Sequence, residues 1–111
     1  MGLSTHILDT ALGRPATGVA LMLFRKMAAG WSEVGRGSTD ADGRCSTLLG
    51  DDTLQLATYR LRFETASYFE AQKITGLYPY VEIVFRVDDV SQHYHIPLLL
   101  AANGYTTYRG S

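Results

Sequence analysis

The run from His93 to Ser111 restricts the fold more than any other part of this 111-residue sequence. A period of two along it sets His93 and His95 on one side and Tyr94, Ile96 and Leu98 on the other, the pattern of a strand with one buried face. Asn103-Gly104 is a turn signal, and Tyr105-Thr106-Thr107-Tyr108, aromatic and β-branched, reads as a second strand hairpinned to the first. The sequence then stops at Arg109-Gly110-Ser111 without a polar tail, so these three residues are expected to be placed rather than loose.

The rest of the chain follows the same period. Residues 2–10 read as a strand in which Leu3, Thr5 and Ile7 face one way and Ser4, His6 and Leu8 the other. Strands are expected at 19–26, 31–39, 57–65 and 81–87, with a short edge strand at 53–56. The turns between them carry Gly, Pro or Asp. One helix is expected, over 68–75, because Ser67-Tyr68-Phe69-Glu70 has the spacing of a capping box and Gly76 follows. Seven or eight short strands with one brief helix predict an all-β fold, an antiparallel β-sandwich, spanning residues 1–111 as a single domain.

A chain of this length buries roughly two thirds of its extended surface, enough to fold without a metal or a disulfide. Ten basic and eleven acidic residues give a net charge of −1 with no run of one sign. That excludes the electrostatic footprint of a nucleic-acid or anionic-membrane partner. The opening residues lack a secretory pattern, and His6 occupies the position where myristoylation needs Ser or Thr. Cys45 is the single cysteine, which fits a reducing, cytoplasmic setting.

Few residues have the chemistry of a site. His6 and His95 each lie opposite in parity to an isoleucine, Ile7 and Ile96. If the isoleucines point inward, both imidazoles lie on an outer sheet face beside Leu8, Pro97 and Leu99, a face apolar enough to want a second subunit over it. By spacing alone, site residues and interface polar groups are equally good readings of this pair. His93 and His95 also match two ligands of a zinc site, although no local spacing fixes a third. Arg44 follows Asp40-Ala41-Asp42-Gly43 and by itself reads as a turn arginine paired to a carboxylate. Asp40, Asp42 and Asp51-Asp52 lack the twelve-residue calcium loop, and Cys45 reads as an inert, partly buried thiol.

With these residues in hand, the sequence resembles the 5-hydroxyisourate hydrolases of the transthyretin-like family. The resemblance runs through residues 3–10, Gly13-Arg14-Pro15-Ala16, residues 39–44, Tyr59-Arg60-Leu61-Arg62-Phe63 and His93-Tyr94-His95-Ile96-Pro97. Its most specific element is the ending Tyr108-Arg109-Gly110-Ser111. Asp40 stands where the family usually has Asn, and Ala101-Ala102-Asn103 replaces a more usual Ser-Pro pair. The resemblance implies two four-stranded sheets, a homotetramer built as a dimer of dimers, no cofactor and no metal. It implies a site on the dimer-dimer face where His6, Arg44, His95 and residues 108–111 meet. On that basis His95, oriented by Ser111, is the expected general base, with the roles of the two histidines open to exchange. His6 and Arg44 are expected to hold the substrate carbonyl and its developing charge. Tyr108 is expected to narrow the cleft, and Arg109 to hold either the substrate or the tail. The rival readings are a transthyretin-like small-ligand carrier and a zinc-dependent amidohydrolase.

Overall fold

A computed structural model describes residues 2–50 and 52–111. Asp51, half of the aspartate pair weighed above for calcium, lies outside them. Nine strands and one helix follow in order: β1 (Leu3–Asp9), β2 (Arg14–Pro15), β3 (Ala20–Met27), β4 (Gly30–Ser38), β5 (Arg44–Cys45), β6 (Ala57–Phe63), α1 (Thr65–Glu70), β7 (Val81–Val87), β8 (Tyr94–Ala101) and β9 (Gly104–Thr107). They form two sheets, one ordered β4-β3-β6-β7 and the other β2-β1-β8-β9 with β5 also paired to β1.

The alternation read from the sequence is the alternation of burial. In β1, Leu3, Thr5, Ile7 and Asp9 are buried while Ser4, His6 and Leu8 are half-exposed. In β6, Tyr59, Leu61 and Phe63 are buried and Arg60 and Arg62 are not. These inward rows meet Leu21, Leu23, Val81, Leu98 and Leu100 in one core between the sheets. Each such side chain, fully buried, contributes about 1.5–3 kcal/mol of transfer free energy.

The buried polar side chains of β1, Thr5 and Asp9, find partners within this frame. Thr5 donates its hydroxyl hydrogen to the Ile96 carbonyl, linking β1 to β8. Asp9, also buried, accepts the amides of Ala11 and Leu12 on one oxygen and the Tyr68 hydroxyl, at 2.7 Å, on the other. Burial, then the bond to Asp9, pushes the Tyr68 phenol up to about 12.

Five details depart from the expectation. The β1–β8 pair is parallel. The two strands are distant in sequence, so no hairpin fixes their direction. The sheet that contains them has five strands rather than four, because the two-residue strands β2 and β5 share one edge of β1. The helix starts at Thr65, ahead of the Ser67 capping box, with Glu64 at its N-cap making no side-chain bond; it is succeeded by a turn in which Lys73 adopts φ 61°. Buried Thr65 and Phe69 anchor it, and the Ala66 amide bonds the Pro79 carbonyl. No strand forms at 53–56, where the Gln55 amide donates to the Tyr59 hydroxyl at 3.0 Å instead of to a neighbouring strand. The β8–β9 turn falls one residue early: Gly104 already pairs with Ala101.

No described helix is long and apolar enough to cross a membrane.

Candidate active site

The register of β1 against its two neighbours assembles the site. His6 sits opposite Arg44 on one flank and Pro97 on the other, and Ser4 sits opposite His95. All share the outward parity, so Arg44, His6 and Pro97 make one row across the sheet and Ser4 and His95 make the next, one two-residue step along the strands. His6 and His95, 89 positions apart by number, therefore become neighbours on the face turned away from the core.

Arg44 is presented by the turn before it. Asp40 accepts the amides of Asp42 and Arg44 at 2.9 and 3.0 Å, and its own amide bonds the Arg44 carbonyl. The Asp40 carboxylate thus holds main chain, contrary to the turn-arginine reading, and among the described residues the Arg44 guanidinium has no ion-pair partner. Gly43 is required here: its φ is +75°, and a Cβ would lie 2.6 Å from the Ile7 oxygen.

Beyond β9 the chain stays in register with β8. The Gly110 amide donates to the His95 carbonyl at 2.9 Å and the two residues form an isolated antiparallel bridge. That register sets Tyr108 opposite Pro97 and Gly110 opposite His95, on the site face, and turns Arg109 to the inner side with Ile96. Arg109 accordingly lies 4.6 Å over the Tyr94 ring and donates to the Gln92 side chain. The structure brings together His6, Arg44 and His95 on one sheet face, puts Tyr108 on the adjoining tail beyond β9, and directs Arg109 to Tyr94 and Gln92. Ser111 is exposed, and among the described residues the partner of the His95 ring is another serine.

That partner is Ser4. Its hydroxyl lies 2.9 Å from His95 Nδ1 and 2.8 Å from His93 Nε2, while the Gly2 amide donates to His93 Nδ1 at 3.0 Å. The tail glycine closes the other side of the ring: a Cβ at Gly110 would lie 2.4 Å from His95 Cδ2. Gly110 falls within the expected site stretch 108–111, whereas Ser4 is not among the site residues expected from the sequence. Parity already put Ser4 on the side of His6, but nothing local paired it with a ring 91 residues away.

The His95 pKa is lowered below the ordinary 6.5, chiefly by burial and then by the charges of His6, Arg44 and His93, with a contact to the Ser4 main chain working weakly the other way. The neutral ring is therefore favoured. An NMR titration should place its midpoint below 6.5. Because the unfolded chain takes up this proton at higher pH than the folded one, the linked stability is present above 6.5 and is lost as pH falls through the window beneath it. Denaturant midpoints measured across that window should rise with pH.

His93 and His95 converge on a hydroxyl, and no group of three or more His, Cys, Asp or Glu among the described residues is arranged as a metal site. The zinc reading lacks its third ligand.

A family model described as the HIUase/Transthyretin family matches residues 3–110. A 5-hydroxyisourate hydrolase of Salmonella dublin is 42% identical over 109 residues, covering 98% of this chain and 80% of that one. Sea bream transthyretin, solved in complex with thyroxine, superposes with a TM-score of 0.93 at 34% identity, covering 99% of this chain and 95% of its own. The 5-hydroxyisourate hydrolase of Klebsiella pneumoniae superposes with a TM-score of 0.87 at 34% identity, over the full length of both chains.

Proposed function

The chain belongs to the HIUase/transthyretin family, and from that premise we propose that it hydrolyses 5-hydroxyisourate, opening the six-membered ring at the N1–C6 amide. The product is 2-oxo-4-hydroxy-4-carboxy-5-ureidoimidazoline, on the route from urate to allantoin. A fold shared by a thyroxine-binding protein and a hydrolase does not choose between them. The observation that carries the reading is the juxtaposition, on one sheet face, of two imidazoles and a guanidinium that has no ion-pair partner among the described residues. A carrier of an apolar ligand has no use for three such groups together.

The chemistry needs a proton acceptor for water, a holder for the oxyanion and a donor for the leaving nitrogen. One imidazole takes a proton as the water oxygen adds to C6. The carbonyl oxygen gains the negative charge and is held by the Arg44 fork and by an N–H of the other imidazole. Collapse breaks the C6–N1 bond, and the imidazolium returns its proton to N1. Tyr108, more than half exposed, borders the space opposite Pro97, and Ser111, next to Gly110, supplies a hydroxyl at the margin. Arg109 fixes the tail from the inner side.

Leu8 and Leu99 flank the histidines and leave an outer face that suits coverage by a second dimer, which supports a homotetramer with the substrate held between dimers. Buried, unpaired Cys45 supports a cytoplasmic setting.

The test is to generate 5-hydroxyisourate in place with urate oxidase and follow its absorbance decay. The tetrameric fraction from a sedimentation run should accelerate decay equally with and without EDTA. Activity that disappears with EDTA and returns with zinc would restore the amidohydrolase reading. A fully active monomer would remove the claim that the site needs a second dimer.

A further inference from the structure

We propose that Ser4 and His93 are positioning residues that set the tautomer of His95, so that its ring presents an Nε2 hydrogen to the site. The direction of the hydrogen-bond chain is fixed at its start. A backbone amide can only donate, and that of Gly2 points at His93 Nδ1 from 3.0 Å. His93 Nδ1 is therefore an acceptor, and the hydrogen of that neutral ring sits on Nε2. That Nε2 is 2.8 Å from Ser4 Oγ and donates to it.

The Ser4 hydrogen is then left for another acceptor. Among the described residues, the one within reach is His95 Nδ1 at 2.9 Å. A ring whose Nδ1 accepts keeps its hydrogen on Nε2. Hydroxyls and imidazoles are reversible in such a chain, but the amide is not, so the polarity of all three bonds follows from the Gly2 main chain. Gly110, flat against the other side of the ring, removes the freedom to flip it.

The consequence rests on the hydrolase reading and deepens it. His95 enters the reaction as an N–H donor toward the carbonyl oxygen, where a preorganised donor contributes most. The proton acceptor is then His6, whose ring has no hydrogen-bond partner among the described residues. Ser4 and His93 touch no reacting atom; they act through His95.

Long-range proton–nitrogen NMR on the ¹⁵N-labelled wild-type protein, at a pH where His95 is neutral, reads the tautomer without reference to activity. His93 and His95 should both carry their hydrogen on Nε2. A His95 found with its hydrogen on Nδ1 overturns the proposal, whatever the enzyme assay gives. In the decay assay, Ser4→Ala should lower kcat by about ten- to a hundredfold, as loss of the outer hydrogen-bond partner does for metal-bound histidines, with KM and assembly near those of the wild type. Ser4→Thr, which keeps the hydroxyl, should recover most of the loss. Equal kcat for Ser4→Ala and wild type would also overturn it. If wild type lacks the activity while His95 carries its hydrogen on Nε2, the hydrolase reading fails and the tautomer assignment stands.

Discussion

His6→Ala should lower kcat for 5-hydroxyisourate by about 10²- to 10⁴-fold, the range for removing a general acid or base, and His95→Ala should fall in the same range. Neither ring points into the core: the inward neighbours of His6 are Thr5 and Ile7, and those of His95 are Tyr94 and Ile96. Thermal midpoints should therefore stay close to wild type, and the loss should be kinetic. Arg44→Lys belongs beside them, since an ammonium does not reproduce a planar fork over a carbonyl oxygen. Stopped-flow decay of freshly generated substrate measures all three, and near-normal rates for the set would dismantle the site.

Gly110→Ala is the second large effect, and it comes from a single methyl group. The φ of Gly110 lies outside the left-handed region, so alanine suits the backbone. What it lacks is room. The new Cβ would fall 2.4 Å from Cδ2 and 3.1 Å from Cγ of His95, and either the ring or the tail must move. A displacement near 1 Å at a reacting group costs about 10²-fold in rate, and that is the expected loss in kcat. The variant should keep its far-ultraviolet circular dichroism and its melting curve, because only one bridge of the sheet is touched. Wild-type kinetics for Gly110→Ala would show that the ring is free to lean elsewhere, and the packing account of the tail would fall with it.

The faces of the strands were legible in the sequence because alternation is local: Leu3, Thr5 and Ile7 declare their side within five residues, as do Tyr59, Leu61 and Phe63. His6 and His95 could thus be put on outer faces before any pairing was known. Partner and direction were not legible. Nothing near residue 4 says that β8 runs beside it, or that it runs parallel. The capping-box spacing of Ser67 and Glu70 predicts a later helix start than the structure has, because burial of Thr65 and Phe69 decides where the turn of helix begins. Propensity lost there to packing. Arg109 reads from the sequence as a holder of either substrate or tail, and its position over the Tyr94 ring becomes visible only with the continued β8–β9 register.

The parallel β1–β8 pair also sets the order in which this protein becomes competent. Ser4 and His95 are 91 residues apart in the chain, and Arg44 joins them from a third segment through β5. The hairpin-linked strands β3 and β4, or β8 and β9, can form early from local contacts. The face that joins His6 to His95 cannot, because closing so long a loop carries its entropic cost before any of its contacts form. A refolding chain should regain most of its strand signal before it turns over substrate. On the ribosome, a partial product that stops short of β8 holds His6 and Arg44 but lacks His95 and the tail.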